Sequence, residues 1–358
     1  MRIRRRWSVI VLGCGLSGAM TACAEIDEAG AASADASDAA VKDDGWYPHE
    51  GARMEYMVQI RFGDELDDKR PSNAMPAGWR FGRVSAVATD SQGEVYVFHR
   101  GSEADPIVVF DAMGTRMLRS WGAGMFTNPH AIRVDADDNV WVTDNGDHRV
   151  MKFSKQGELL LQLGTKDVPG TTPDLFNRPA DIAFSPSGDF YVADGYANLR
   201  VVRFSSDGTY KGEWGTPGTG QSEFHLVHSI AVDSRGTVYV SDRENKRIQI
   251  FDADGEYLRE WTHLGTTQNL SMTPDDELWI ITHRNNIETL TYDTLAGRIM
   301  RVDPESGRIL GSMESPGHWI DVAQNGDIFI GSLTGNVFRW YPGWLTEGAS
   351  ATEGIVGG

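Results

Sequence analysis

An all-β fold, a closed ring of six four-stranded blades, is predicted by three features of the sequence. One segment recurs six times, each copy holds a turn residue at the same place, and strand-like runs follow each copy. The copies begin at Ser85, His130, Ala180, His228, Gln268 and His318, 40 to 50 residues apart, and align without a gap. "HAIRVDADDNVWVTDN" from His130 and "HSIAVDSRGTVYVSDR" from His228 show the pattern. Eight residues after each first position stand Gly93, Asp138, Gly188, Gly236, Asp276 and Gly326. Gly and Asp suit a tight turn between two antiparallel strands.

The other elements follow in order. A third strand comes after each pair: "PIVVFD", "RVMKFS", "LRVVRFS", "RIQIFD", "RIMRVD" and "NVFRWY". A fourth follows in five copies: "RMLRSWG", "LLLQLG", "YKGEWG", "YLREWT" and "ILGSM". Four antiparallel strands at this period are the signature of a β-propeller. The sixth copy stops after its third strand. "EYMVQIRF" (Glu55–Phe62), ahead of the first copy, is expected to supply the missing outer strand and to close the ring, which removes two exposed edges. The aromatics of the second strands (Tyr96, Trp141, Tyr191, Tyr239, Trp279) are expected to pack between blades, and Asp144, Asp194 and Asp242 to bond a turn.

Outside the propeller, taken as residues 46–342, the chain reads differently. Residues 1–23 hold a basic start, a short apolar run and "TAC", which is an export signal too short to span a membrane. Ala22–Cys23 is similar to a bacterial lipobox, so Cys23 is a candidate for lipidation; ordinary cleavage near Ala24 is the alternative. Export to the cell envelope is expected, on the periplasmic or extracellular face, with membrane contact only through a lipid anchor. Residues 24–45 form a polar, flexible tether and residues 343–358 a loose tail. Cys14 and Cys23 are the only cysteines, so the exported domain holds no disulfide and no thiolate metal site. A net charge of −18 argues against a nucleic-acid partner. A monomer is expected.

The chemistry lies in the alignment columns. In the first column His130, His228 and His318 fall on blades two, four and six, which are alternate sectors of the ring. The first strand of each blade lines the axial channel, so three imidazoles point at a common axis near one mouth. Three histidines with an open fourth position suit zinc; calcium prefers oxygen ligands and soft copper favours sulfur. His49, His99, His148, His225, His263 and His283 share no such pattern and read as surface residues or as supports of the site. Fifteen residues after the first column come Arg100 and Arg243, on blades one and four; antiparallel pairing brings them to the same mouth. Tyr196 lies level with them on blade three. Guanidiniums beside a metal suit a carboxylated substrate, either a small molecule or a peptide.

Five stretches carry a resemblance: "FHRG" (Phe98–Gly101), "NPHAI" (Asn128–Ile132), "DGYANLR" (Asp194–Arg200), "LVHSIAVD" (Leu226–Asp233) and "DRENKRIQ" (Asp242–Gln249). Through them the chain resembles the peptidyl-α-hydroxyglycine α-amidating lyases, propellers of NHL-type repeats, over about residues 80–340. The resemblance implies zinc on His130, His228 and His318, with Tyr196, Arg100 and Arg243 in catalysis. The implied reaction cleaves a C-terminal α-hydroxyglycine to a peptide amide and glyoxylate. It also implies a structural calcium on the main-chain carbonyls of Val87 and Ile132 and on an aspartate after the third histidine. Here that position is Trp319, and Pro316 replaces the family's methionine. Ala197 stands where a cysteine often follows the tyrosine. An insertion at Arg284–Gly297 leaves blade five at the site's mouth, as a lid or as a passive loop. Two other functions stay open: a metal-dependent lyase or hydrolase of another small carboxylated substrate, and a non-catalytic propeller that binds an envelope ligand or a protein.

Overall fold

The computed structural model describes residues 56–59, 75–283, 297–315 and 317–342. The export signal with Cys23, the tether, the tail, residues 284–296 of the insertion and Pro316 lie outside the described residues.

Six four-stranded antiparallel sheets make the ring. The innermost strands are Val84–Thr89, Pro129–Val134, Asp181–Phe184, Val227–Val232, Thr266–Met272 and Trp319–Val322. In blades one to five the strands follow one another outward in chain order. In blade six, Tyr56–Gln59 pairs antiparallel with Asn336–Pro342, from Tyr56 opposite Pro342 to Gln59 opposite Arg339. The six turn residues of the repeat all have left-handed backbone, with φ from 60° at Asp138 and Asp276 to 87° at Gly188. Only Gly, Asn and Asp enter that region at low cost, which explains the column.

The core is a set of aromatic and β-branched contacts between neighbouring blades. Trp141 of blade two stands 4.6 Å from Phe190 of blade three, centroid to centroid. The Tyr191 hydroxyl donates to Ala253 O of blade four, and that of Tyr239 to Pro304 O of blade five. These side chains are buried, and each ring closes a seam while its polar end finds a partner.

The aspartates that end the second strands do more than bond a turn. Asp144 accepts from the backbone N–H of Thr127 (2.6 Å), Asn128 (2.8 Å) and Gly146 (2.8 Å). Asp194 takes the N–H of Asn177, and Asp242 those of His225 and Leu226. Each carboxylate therefore ties the loop that enters its own blade to the end of its second strand. That loop precedes the first column, so the aspartates fix the mouth of the channel.

A cluster of three buried histidines at the channel mouth

The inner strands carry a device that the alignment did not reveal. Pairing slips by one residue between Val84 and Ala86, Pro129 and Ala131, Val227 and Ser229, and Thr267 and Asn269. The unpaired residues are Ser85, His130, His228 and Gln268, all of the first column. A β-bulge turns its extra residue out of the ladder and re-aims the side chain, here into the channel. His318 lies just ahead of its strand, with its N–H donated to Gly331 O.

His130, His228 and His318 meet on the axis. Their ring centroids are 5.1, 5.4 and 5.2 Å apart, and one ligand nitrogen from each lies within 4.8 Å of the others. All three are buried. Their orientation comes from the odd blades. His130 Nδ1 lies 2.7 Å from Ala180 O, His228 Nδ1 2.5 Å from Gln268 O, and His318 Nδ1 2.7 Å from Ser85 O. A carbonyl only accepts, so each Nδ1 carries the hydrogen and each Nε2 keeps its lone pair. The first column thus alternates around the ring, imidazole then carbonyl, and each odd blade fixes the tautomer of its neighbour. Carbonyl support of this kind is common behind metal-binding imidazoles.

Tyr196 completes the cluster. Its hydroxyl lies 3.0 Å from His130 Nε2 and 3.0 Å from His228 Nε2. Gly195 permits this approach, because a Cβ there would stand 1.7 Å from Val227 O. The phenol has one hydrogen for two imidazole lone pairs, with a third imidazole adjacent. Such a group of acceptors, short of hydrogens and with no carboxylate among its ligands, fits a borderline divalent cation such as zinc.

Arginines surround the phenol. Arg243 opens a short 3-10 turn (Arg243–Asn245), donates its N–H to Leu226 O and places its guanidinium 6.0 Å from the Tyr196 ring. Its side chain pairs with Glu244 at 2.8 Å. Arg100 donates from Nε to Ser85 Oγ and Pro129 O, both at 2.8 Å. Arg178 lies 5.1 Å from the Tyr196 ring, with Nε donating to Asn145 Oδ1 at 3.2 Å. Its backbone is left-handed (φ 65°) and its N–H is received by His148 Nδ1. Sequence reasoning missed Arg178 because it sits in an inter-blade loop outside every aligned column. Burial pushes the Tyr196 phenol above its ordinary value, while Arg243, Arg100 and Arg178 pull the other way.

Burial, above all, holds His130 and His228 well below the usual imidazole range; the charges around them, His318 and Arg100 for His130 and Arg243 for His228, act in the same direction. The unfolded chain, with imidazoles near 6.5, therefore takes up protons before the folded one. Metal-free protein is expected to keep its full stability above about pH 6.5 and to lose it steadily as the pH falls below that value. His228→Gln should flatten the slope of thermal midpoint against pH. A midpoint independent of pH between 7 and 5 would contradict the burial argument.

The calcium position reads otherwise. Val87 and Ile132 lie buried in their inner strands, but the residue after His318 is the buried indole of Trp319. The Arg133 guanidinium stands 4.7 Å from that ring and bonds both oxygens of Asp181, at 3.0 and 2.7 Å, as well as Leu270 O. Asp181 also receives Ser229 Oγ. The position after His318 offers an indole in place of a carboxylate oxygen, and the nearby Asp181 is engaged by Arg133 and Ser229, a set that does not fit calcium. Millimolar calcium is expected to leave the thermal midpoint unchanged, since a ligand that binds only the folded state must raise it. A rise of several degrees would overturn this.

Of the histidines outside the cluster, His99 is buried. Its Nδ1 accepts from Gly82 and Gly101 N–H, so it fixes the loop beside Arg100.

Fold and site together define an NHL-repeat propeller with a three-histidine centre. The NHL repeat model matches residues 126–153, 176–204 and 224–251, which fall in blades two to four. Among curated proteins, the peptidylglycine alpha-amidating monooxygenase of Rattus norvegicus is 38% identical over 199 residues, 47% of this chain and 20% of that protein. A probable peptidyl-alpha-hydroxyglycine alpha-amidating lyase of Caenorhabditis elegans is 31% identical over 192 residues, 47% of this chain and 55% of that protein. The chain resembles the amidating lyases as its motifs implied, over just under half its length, and it matches about a fifth of the rat protein. A streptogramin B lyase structure superposes with a TM-score of 0.53, at 16% identity, over 80% of this chain and 97% of that one, and shares the fold.

Proposed function

We propose that the protein is a zinc-dependent lyase that cleaves a C-terminal α-hydroxyglycine into a peptide amide and glyoxylate. The observation that carries this reading is the meeting of three imidazole lone pairs and one phenol hydroxyl at a mouth ringed by guanidiniums. Relatives named as amidating lyases support it. His130, His228 and His318 would hold the metal. A divalent cation bound there supplies Lewis acidity toward the substrate hydroxyl and a positive charge beside the phenol.

The chain's own groups would do the rest. Arg100 and Arg243 together neutralise the substrate carboxylate and the developing oxyanion through charged hydrogen bonds. Tyr196, as phenolate, takes the hydroxyl proton. The O–H electron pair becomes the second bond of the new C=O, and the C–N bond breaks toward nitrogen. The phenol returns the proton to that nitrogen, which leaves as the amide. No oxidant is needed and no atom is lost. The expected lipid anchor at Cys23 would place this chemistry at the envelope.

The test is glyoxylate release from an N-acyl-α-hydroxyglycine peptide by zinc-loaded protein, with peptide amide formed in equal amount. Zinc bound at one per chain without glyoxylate would move the substrate to another carboxylated molecule. Failure to bind any divalent metal would leave a binding propeller.

A further inference from the structure

We propose that Gln268 is a substrate-binding residue, the neutral half of a carboxylate seat that it forms with Arg243; this rests on the reading of the site given above. Gln268 heads the inner strand of blade five at a bulge, in the register that turns His130 and His228 into the channel. It lies between the blades of His228 and His318, and its main-chain carbonyl supports His228 Nδ1. The side chain is fully buried. Its Oε1 accepts from Arg243 Nη1 at 3.4 Å. The reverse amide orientation would set an N–H2 group against guanidinium N–H, so the oxygen belongs on that side.

The amide nitrogen is then left with two hydrogens and no acceptor among the described residues. Buried donors without partners are rare in native proteins, because each forfeits its hydration for nothing. A site built to bond a ligand group is one place where they persist, since the ligand supplies the missing partner, and Gln268 stands beside the Arg243 guanidinium at such a place. Here the same amide bonds a guanidinium through its oxygen, so the complementary group is an anionic acceptor with two oxygens, one for each neighbour. A carboxylate fills both requirements: one oxygen for Arg243, one for Gln268. Because Arg243 is already paired with Glu244, a neutral second donor adds affinity and direction without more charge.

Gln268→Met keeps the length of the side chain and removes both polar atoms. The probe is N-acetyl-Phe-Gly, which ends in the glycine carboxylate but lacks the hydroxyl and so is not turned over. Calorimetric titration of zinc-loaded protein should show binding about tenfold weaker in the variant. The amidated N-acetyl-Phe-Gly-NH2, which has no carboxylate, should bind both proteins alike. The thermal midpoint should stay level or rise by about 2 °C, because an unpaired buried donor has gone. Unchanged affinity for the carboxylate peptide would overturn the proposal, and a fall in midpoint beside it would make Gln268 a purely structural residue. Wild-type protein that binds the peptide yet fails to cleave its hydroxylated form would sink the lyase reading and leave the seat standing; binding of neither peptide would sink both.

Discussion

Replacing His228 with alanine is expected to strip the centre of zinc and to lower glyoxylate release by about a thousandfold or more. Two effects add. The cluster drops from three nitrogen donors to two, and catalytic zinc takes three protein ligands. The loss of metal also removes several kcal/mol of charge stabilisation, each 1.36 kcal/mol being a factor of ten. The fold is expected to survive. His228 lies at a bulge, outside the strand ladder, so the pairing of Val227 and Ser229 on either side of it remains. The Gln268 carbonyl loses its donor, which costs about 1 kcal/mol. His228→Gln keeps the volume and serves as the control should the alanine variant fold poorly. Metal content of the purified protein and the rate of glyoxylate release decide the matter. A variant with full zinc and full rate would show that the ion lies elsewhere.

Tyr196→Phe is expected to do the opposite to the metal and the same to the rate. All three imidazoles keep their carbonyl partners, so zinc content should hold at the wild-type level. The ring stays in place between Arg178 and Arg243 and keeps both guanidiniums over its π face, so stability should change little. Only the hydroxyl goes. A lost general base costs about a hundredfold to ten-thousandfold. A rate within a few-fold of wild type would assign the proton to another group. The contrast matters more than either result, because a variant with metal and no turnover separates proton transfer from metal binding.

The two variants probe residues that were legible to very different degrees. His130, His228 and His318 stand out in the chain because repeats of one length put equivalent residues at equivalent places on a ring. Arg100, Arg243 and Tyr196 follow by antiparallel pairing, which returns the end of the second strand to the start of the first. Gln268 occupied the same column in plain view, but an amide in a list of first residues gives no sign that its nitrogen will be left without a partner. Arg178 gave no signal, since loops between blades have no register.

The alternation of histidines fixed a ring with a threefold set of donors, and the turn column fixed where each strand reverses. That much is periodicity, and the pattern of side chains along the chain encodes it. The tertiary structure alone decided the tautomers, because main-chain carbonyls at Ser85, Ala180 and Gln268 do that work and any residue carries a carbonyl. It alone shows what lies beside Trp319, because Arg133 and Asp181 come from different blades and pair only when the ring is formed, with the Arg133 guanidinium over the indole. Contacts across the axis join residues far apart in the chain, and no local pattern records which of them will touch.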